Sequence, residues 1–211
     1  MKLQEPFTML ICGPSKSGKS SFVHNLLKNS QELFTRPIGP VHYFYKIKSS
    51  AFDSLTADNL VTEFHQGPCT SEWMEENLNP EQNPTIIIDD QASEIKKIED
   101  IFTVTSHHMN TNVIFISQST FSKNPSLRII STNCTYLVLM KNVRDLTTIR
   151  YLARQVDPIN PETIILAYQD ATKKPFSHFM FDFNQSTPNY LRYRANIFKN
   201  NEPFSVVYMK I

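Results

Sequence analysis

The 211-residue sequence predicts an α/β fold with a mainly parallel central sheet flanked by helices. Three observations carry this expectation. Short runs of β-branched and aromatic residues recur along the chain and are almost continuously apolar, as in parallel strands covered on both faces. Segments with helical periodicity lie between several of these runs. The octapeptide GPSKSGKS, Gly13 to Ser20, joins the first apolar run to the first helical segment.

In chain order the runs are FTMLIC at 7–12, VHYFY at 41–45, TIIID at 85–89, NVIFIS at 112–117 and TYLVLM at 135–140. Helices are expected over 19–28, roughly 94–106 and 145–156, the last because Leu146, Ile149 and Leu152 form a stripe on one face. Prolines such as Pro37, Pro40, Pro80, Pro84 and Pro158 mark connections, and none interrupts an apolar run. Length and a 40% hydrophobic content suit a single domain over 1–211, with a core at about 7–158 and a C-terminal extension at about 159–211.

Composition narrows the class. A net charge of +1 means that nucleic acid could be met only through a local basic patch. The three cysteines, Cys12, Cys69 and Cys134, are odd in number and lack CxxC spacing, which argues against a disulfide framework or a zinc cluster. The first residues have no apolar signal-peptide core, and no run approaches the ~18 apolar residues of a membrane span. A soluble intracellular protein is expected, in the cytoplasm or nucleus of a host.

GPSKSGKS fits GxxxxGK[ST], the phosphate-binding P-loop, in its required setting between a strand and a helix. The nucleotide-binding run is Gly13, Pro14, Ser15, Lys16, Ser17, Gly18, Lys19, Ser20 and Ser21. Backbone N–H groups and the positive helix end can wrap the phosphates, Lys19 can reach the β/γ oxygens, and the Ser20 hydroxyl can coordinate Mg²⁺. Two of only four glycines in the chain, Gly13 and Gly18, fall in these slots.

The run TIIID ends on Asp89, and Asp90 follows. Carboxyl ends of parallel strands face the ligand crevice, so Asp89 suits a Walker B metal role and Asp90 suits polarising a water. The plainer alternative for Asp90 is capping of the helix that follows. A GTPase would need N-K-x-D after a strand, but Asn142, Val143, Arg144 and Asp145 lack the lysine; a small-molecule kinase would usually carry an arginine-rich lid, and none is evident. What remains is a P-loop ATPase with an extra strand inserted between the cradle strand and the metal strand. NVIFIS would be that strand, with Gln118 as its polar tip.

At this point a resemblance becomes specific. TSHHMNTNVIFISQSTF at 105–121, followed by SLRIISTNCTYLVLMKNVRDLTTIRYLARQVDP, resembles the genome-packaging ATPases of the FtsK/HerA clade found in eukaryotic double-stranded DNA viruses and in Polinton/Maverick elements. The resemblance spans about 7–158, with a further similarity in YLRYRANIF at 190–198. It implies an ASCE-type, RecA- and FtsK/HerA-like fold. It also implies a pentameric or hexameric homo-oligomeric ring that hydrolyses ATP with Mg²⁺ and drives double-stranded DNA, without sequence preference, through a capsid vertex or portal. Virion association would follow, and no membrane is involved.

In that picture Lys19 and Ser20 bind phosphate and Mg²⁺, Asp89 holds the metal, Asp90 activates water and Gln118 senses the γ-phosphate. Arg128 is the first candidate for an arginine finger acting on the neighbouring subunit, ahead of Arg144 and Arg150. One departure is that Glu stands at the position of Asp90 in many of the wider class. DNA phosphates could be met by Lys46 and Lys48, Lys96 and Lys97, Lys173 and Lys174, or Arg192 and Arg194, although solvated charged faces explain such pairs equally well. The alternatives to a packaging translocase are a helicase-like or DNA-pumping ATPase of a mobile element, and a nucleotide-gated assembly module with little turnover. His107 and His108 are adjacent, so their side chains diverge and no third ligand stands at metal spacing; they read as positioning residues before the sensor strand.

Overall fold

The computed structural model describes residues 2–49, 51–118, 124–198 and 205–209. Its strands are β1 (Thr8–Cys12), β2 (Val41–Tyr45), β3 (Glu63–Gln66), β4 (Thr85–Asp89), β5 (Asn112–Ser117), β6 (Tyr136–Met140), β7 (His178–Asp182), β8 (Tyr193–Ala195) and β9 (Val206–Val207). They form one sheet in the order β3-β2-β4-β5-β1-β6-β7-β8-β9. The six strands from β3 to β6 in that order are parallel, and β7, β8 and β9 add antiparallel at one end. All five predicted runs are strands, and β5 lies between β1 and β4 as expected for the inserted strand.

The helices are α1 (Lys19–Lys28), α2 (Ser30–Leu33), α3 (Ala51–Ala57), α4 (Ser71–Asn77), α5 (Ile95–Asp100), α6 (Ser106–His108), α7 (Pro125–Asn133), α8 (Thr147–Val156) and α9 (Pro161–Ala171). The helix expected at 94–106 is realised as α5 and α6 joined by a π-helical turn, Ile101–Thr105, which brings both Ile101 and Phe102 into the core. Asp145 is not the first residue of its helix: its carboxylate accepts from the N–H of Thr147 at 2.8 Å and starts α8 from outside.

Strand side chains alternate between faces, so the sheet makes two cores. Met9, Ile11, Ile87, Ile114 and Val138 pack with Phe22, Val23 and Leu26 of α1 and with Phe52 and Leu55 of α3. Leu10, Ile88, Phe115 and Leu137 pack on the other face with α5, α7, α8 and α9. Covering on both faces is why the parallel strands read as unbroken apolar runs. At the lower rim, buried Asn112 accepts from the N–H of Phe7 and donates to Asn83 Oδ1 at 3.0 Å, which ties the starts of β1, β4 and β5 together. Among the described residues no helix is long and apolar enough to cross a membrane.

Candidate active site

The upper rim collects the motif residues because the six parallel strands end there. Gly13 is required by space: a Cβ on it would lie 2.6 Å from Met140 Cβ and 2.7 Å from Ser17 Oγ. Gly18 is required by conformation, since it enters α1 at φ 100°, and Lys16 also takes a left-handed φ of 62°. The Gly13 N–H donates to the carbonyl of Ser117, which fixes the loop to the end of β5. Lys19 Nζ donates to the carbonyls of Gly13 at 2.7 Å and Pro14 at 3.0 Å. Burial lowers the Lys19 pKa, opposed by Asp89, Cys12 and Asp90 in that order.

Lys16, Gly18, Lys19, Ser20 and Ser21 line a cleft of ≈ 640 Å³, whose far wall includes Ser49, Ala51 and Ser54. Ser15 faces solvent beside it, and Ser17 Oγ is buried with no hydrogen-bond partner. Phe176, held at φ 61° and 66% exposed, leans on Gly18 at the mouth of the cleft.

Asp89 ends β4 on the α1 face. The Tyr43 hydroxyl, rising from β2, donates to its Oδ2 at 2.8 Å. Burial raises the Asp89 pKa, countered by the Tyr43 hydrogen bond, and Asp90 raises it further while Lys19 lowers it. Burial, and then the contact with Asp89, raise the Tyr43 pKa. Asp90 is exposed at φ 53°, a left-handed conformation that costs most residues about 1 kcal/mol and that Asp tolerates. It does not cap the helical segment that follows, whose preceding residue is Gln91. Gln91 is buried and anchors this corner by donating to the Gly67 carbonyl at 2.6 Å.

Gln118 stands exposed at the tip of β5. It borders two clefts: one shared with Cys12, Gly13 and Met140, the other with Asp90, Gln91 and Asn124. The last residues of the quoted 105–121 stretch, 119–121, lie outside the described residues. His107 and His108 are exposed at the opposite rim, before β5 begins, and so do not approach Gln118.

Arg128 is exposed on α7 and does not line either cleft beside Gln118. Two candidate DNA contacts are corrected. Arg194 is 4% exposed and paired with buried Asp182, and Arg192 donates to the carbonyls of Asp182 and Asn184, so both serve the β7–β8 corner. Asn142 is also structural, accepting from the N–H groups of Arg144 and Asp145. All three cysteines are buried, and burial raises the Cys69 and Cys134 thiols to about 12, which leaves them inert.

Tyr43 is the site residue that sequence reasoning missed. Its signal was a hydroxyl at the centre of the strand VHYFY.

The donor set fits a nucleotide with Mg²⁺. The loop leaves room only for glycine at Gly13, presents N–H groups at the start of a ten-residue helix, and sets hard oxygen donors, Ser20 and Asp89, near Lys19.

No family model and no curated protein matches the chain. Solved structures do share its fold. B204, the DNA-packaging ATPase of Sulfolobus Turreted Icosahedral Virus, aligns over 97% of this chain and 98% of its own, at 12% identity and a TM-score of 0.51. The cytoplasmic domain of the Thermomonospora curvata type VII secretion ATPase EccC aligns over 86% of this chain and 24% of its own, at 11% identity and 0.53. The flagellar accessory protein FlaH of Methanocaldococcus jannaschii aligns over 90% and 84%, at 13% identity and 0.52. The chain therefore shares the fold of these proteins, and β5 stands between β1 and β4 as the sequence predicts.

Proposed function

We propose that this chain is a Mg²⁺-dependent ATPase that drives double-stranded DNA into a preformed capsid. One observation carries the ATPase part: β5 lies between β1 and β4, so Gln118 faces both the P-loop and Asp90. That placement suits hydrolysis, in which a water must be held between a phosphate and a base.

Lys19 would exchange its two carbonyl acceptors for β/γ-phosphate oxygens, and the N–H groups of the loop through Ser21 would hold the phosphates. Ser20 and Asp89 would hold Mg²⁺, which when bound neutralises charge on the phosphate oxygens. Tyr43 keeps the Asp89 carboxylate oriented. Asp90 would accept a proton from the attacking water, and Gln118 would orient that water and register the γ-phosphate. Arg128, exposed on α7, would reach a neighbouring subunit's site in a pentameric or hexameric ring, where such a finger is worth ~10³–10⁵ in rate.

DNA and capsid enter through the order of motifs and through the end-to-end likeness to a packaging ATPase of the same extent. Lys46, Lys48 and Lys96 remain exposed candidates for phosphate contact. Lys97 and Lys173 are exposed too, but they pair with Glu94 and Asp170. The comparable likeness to FlaH keeps an assembly module with little turnover as the second reading.

ATP turnover of purified protein of known oligomeric state, with and without double-stranded DNA, separates these readings. DNA-stimulated turnover that Asp90→Asn abolishes supports a translocase; ATP binding without turnover in every oligomeric state supports the module. If Asp90→Asn hydrolyses normally, the base is assigned wrongly. For Arg128, mixed rings of Lys19→Ala and Arg128→Ala subunits should regain activity that neither variant shows alone.

A further inference from the structure

Two histidines and a glutamate meet at the β3 edge of the sheet, in a cluster that the nucleotide site does not use. His42 is the second residue of β2, and Glu63 and His65 are the first and third of β3. The parallel register sets His42 beside Glu63 and Phe44 beside His65, so all four side chains stand on one face. Their orientation is held by aromatic packing. Trp73 of α4 meets His42 and His65 edge-on at 5.3 and 4.8 Å, and Phe44 stacks on His65 at 4.6 Å.

The donor atoms converge. His42 Nδ1 and His65 Nε2 are 3.1 Å apart, and Glu63 Oε2 lies 3.9 Å from the first and 3.6 Å from the second. A hydrogen bond between the two rings would account for the shortest edge alone. The two carboxylate distances are too long for hydrogen bonds, and three donor atoms at these separations can reach a single ion. For a triangle with these edges the equidistant point lies about 2.1 Å from each atom, the length of Zn–N and Zn–O bonds.

We propose that His42, Glu63 and His65 bind one Zn²⁺-class transition-metal ion that clips the edge strand β3 to β2. Two imidazoles and one carboxylate suit zinc, and a hard octahedral ion such as Mg²⁺ would not choose them, so this site is distinct from the nucleotide's. The rings are mostly covered, with side chains 12% and 18% exposed, whereas Glu63 is 62% exposed, so the ion enters from the Glu63 side and keeps a water there. The clip closes the chain between His42 and Glu63. That loop carries α3 and the cleft-wall residues Ser49, Ala51 and Ser54, so metal binding steadies one wall of the nucleotide cleft.

The test uses the full chain, stripped with a chelator and titrated with Zn²⁺ against a chromophoric competitor, with Co²⁺ as a spectroscopic probe. One equivalent of Zn²⁺ should bind in the presence of excess Mg²⁺, and the melting temperature should rise with Zn²⁺ concentration. Co²⁺ should give the intense visible bands of a four-coordinate ion. His65→Gln and Glu63→Gln should each weaken Zn²⁺ binding by at least about 10- to 100-fold, the loss typical even of an outer-shell partner. His107→Gln and His108→Gln should leave it unchanged. Glu63 is exposed enough that Glu63→Gln should fold, which far-UV circular dichroism checks. If the wild-type chain binds no stoichiometric Zn²⁺, or if both His65→Gln and Glu63→Gln bind it as tightly as wild type, the cluster is a hydrogen-bonded histidine pair and the proposal is overturned.

Discussion

Two charged clusters lie on the same sheet and are handled in opposite ways. At the antiparallel end, Arg194 and Asp182 have side chains only 5% and 1% exposed and are paired directly, with Arg194 Nε also donating to the Leu191 carbonyl and Asp182 accepting from the N–H of Asn184. On the upper rim of the parallel sheet, Lys19 and Asp89 influence each other electrostatically but form no salt bridge among the described residues. Lys19 rests on two carbonyls and Asp89 on a tyrosine hydroxyl. The difference is one of availability: a charge matched by its opposite is closed, whereas a charge held by neutral dipoles can still exchange them for a charged ligand. Burial raises the Asp182 pKa as it raises that of Asp89, so the two clusters differ in their partners rather than in the direction of that shift.

Breaking the closed pair should have the largest effect. Arg194→Met leaves Asp182 buried without its partner and should cost about 3–5 kcal/mol in urea unfolding, much of it recovered in Arg194→Met/Asp182→Leu. Lys19→Ala should do the reverse, lowering ATP turnover by at least about 10²-fold while leaving the unfolding midpoint close to wild type.

Asp89→Asn tests the sign. The folded-state pKa of Asp89 lies above its unfolded value, so its ionised form disfavours folding, and stability falls as pH rises from the unfolded value through the folded one. At neutral pH the variant should therefore have a higher urea-unfolding midpoint than wild type while losing turnover. That advantage should vanish below the unfolded pKa, where both chains are neutral at this position. Tyr43→Phe is the mildest: one lost hydrogen bond, about 0.5–1.5 kcal/mol, should appear as a roughly 2- to 12-fold higher Mg²⁺ requirement with the fold intact.

The two regions also differed in how readable they were. The P-loop was legible because its constraints are local: Gly18 needs its own φ, and Lys19 and Ser20 follow within two residues. The corner around Arg194 was not, because YLRYRANIF looks like a basic surface until β8 is seen paired with β7. Helices α7 and α9 were passed over although each begins with Asn-Pro, at Asn124-Pro125 and Asn160-Pro161. That dipeptide reads as a turn, and here it opens a helix, with Pro at the first position. β3 escaped because a four-residue edge strand with exposed ends has no apolar run.

Local chemistry along the chain determined the α/β class, the five core strands, the phosphate loop and the acids at the end of β4, since each depends on neighbours within a few residues. Whatever depends on atoms far apart in sequence was decided by the tertiary structure. It put β5 between β1 and β4, brought Tyr43 to Asp89, withdrew Arg194 into the core and gathered His42, Glu63 and His65 on one face. The physical reason is that strand order and register set these distances, and both are chosen by burial of the whole sheet rather than by any short segment of it.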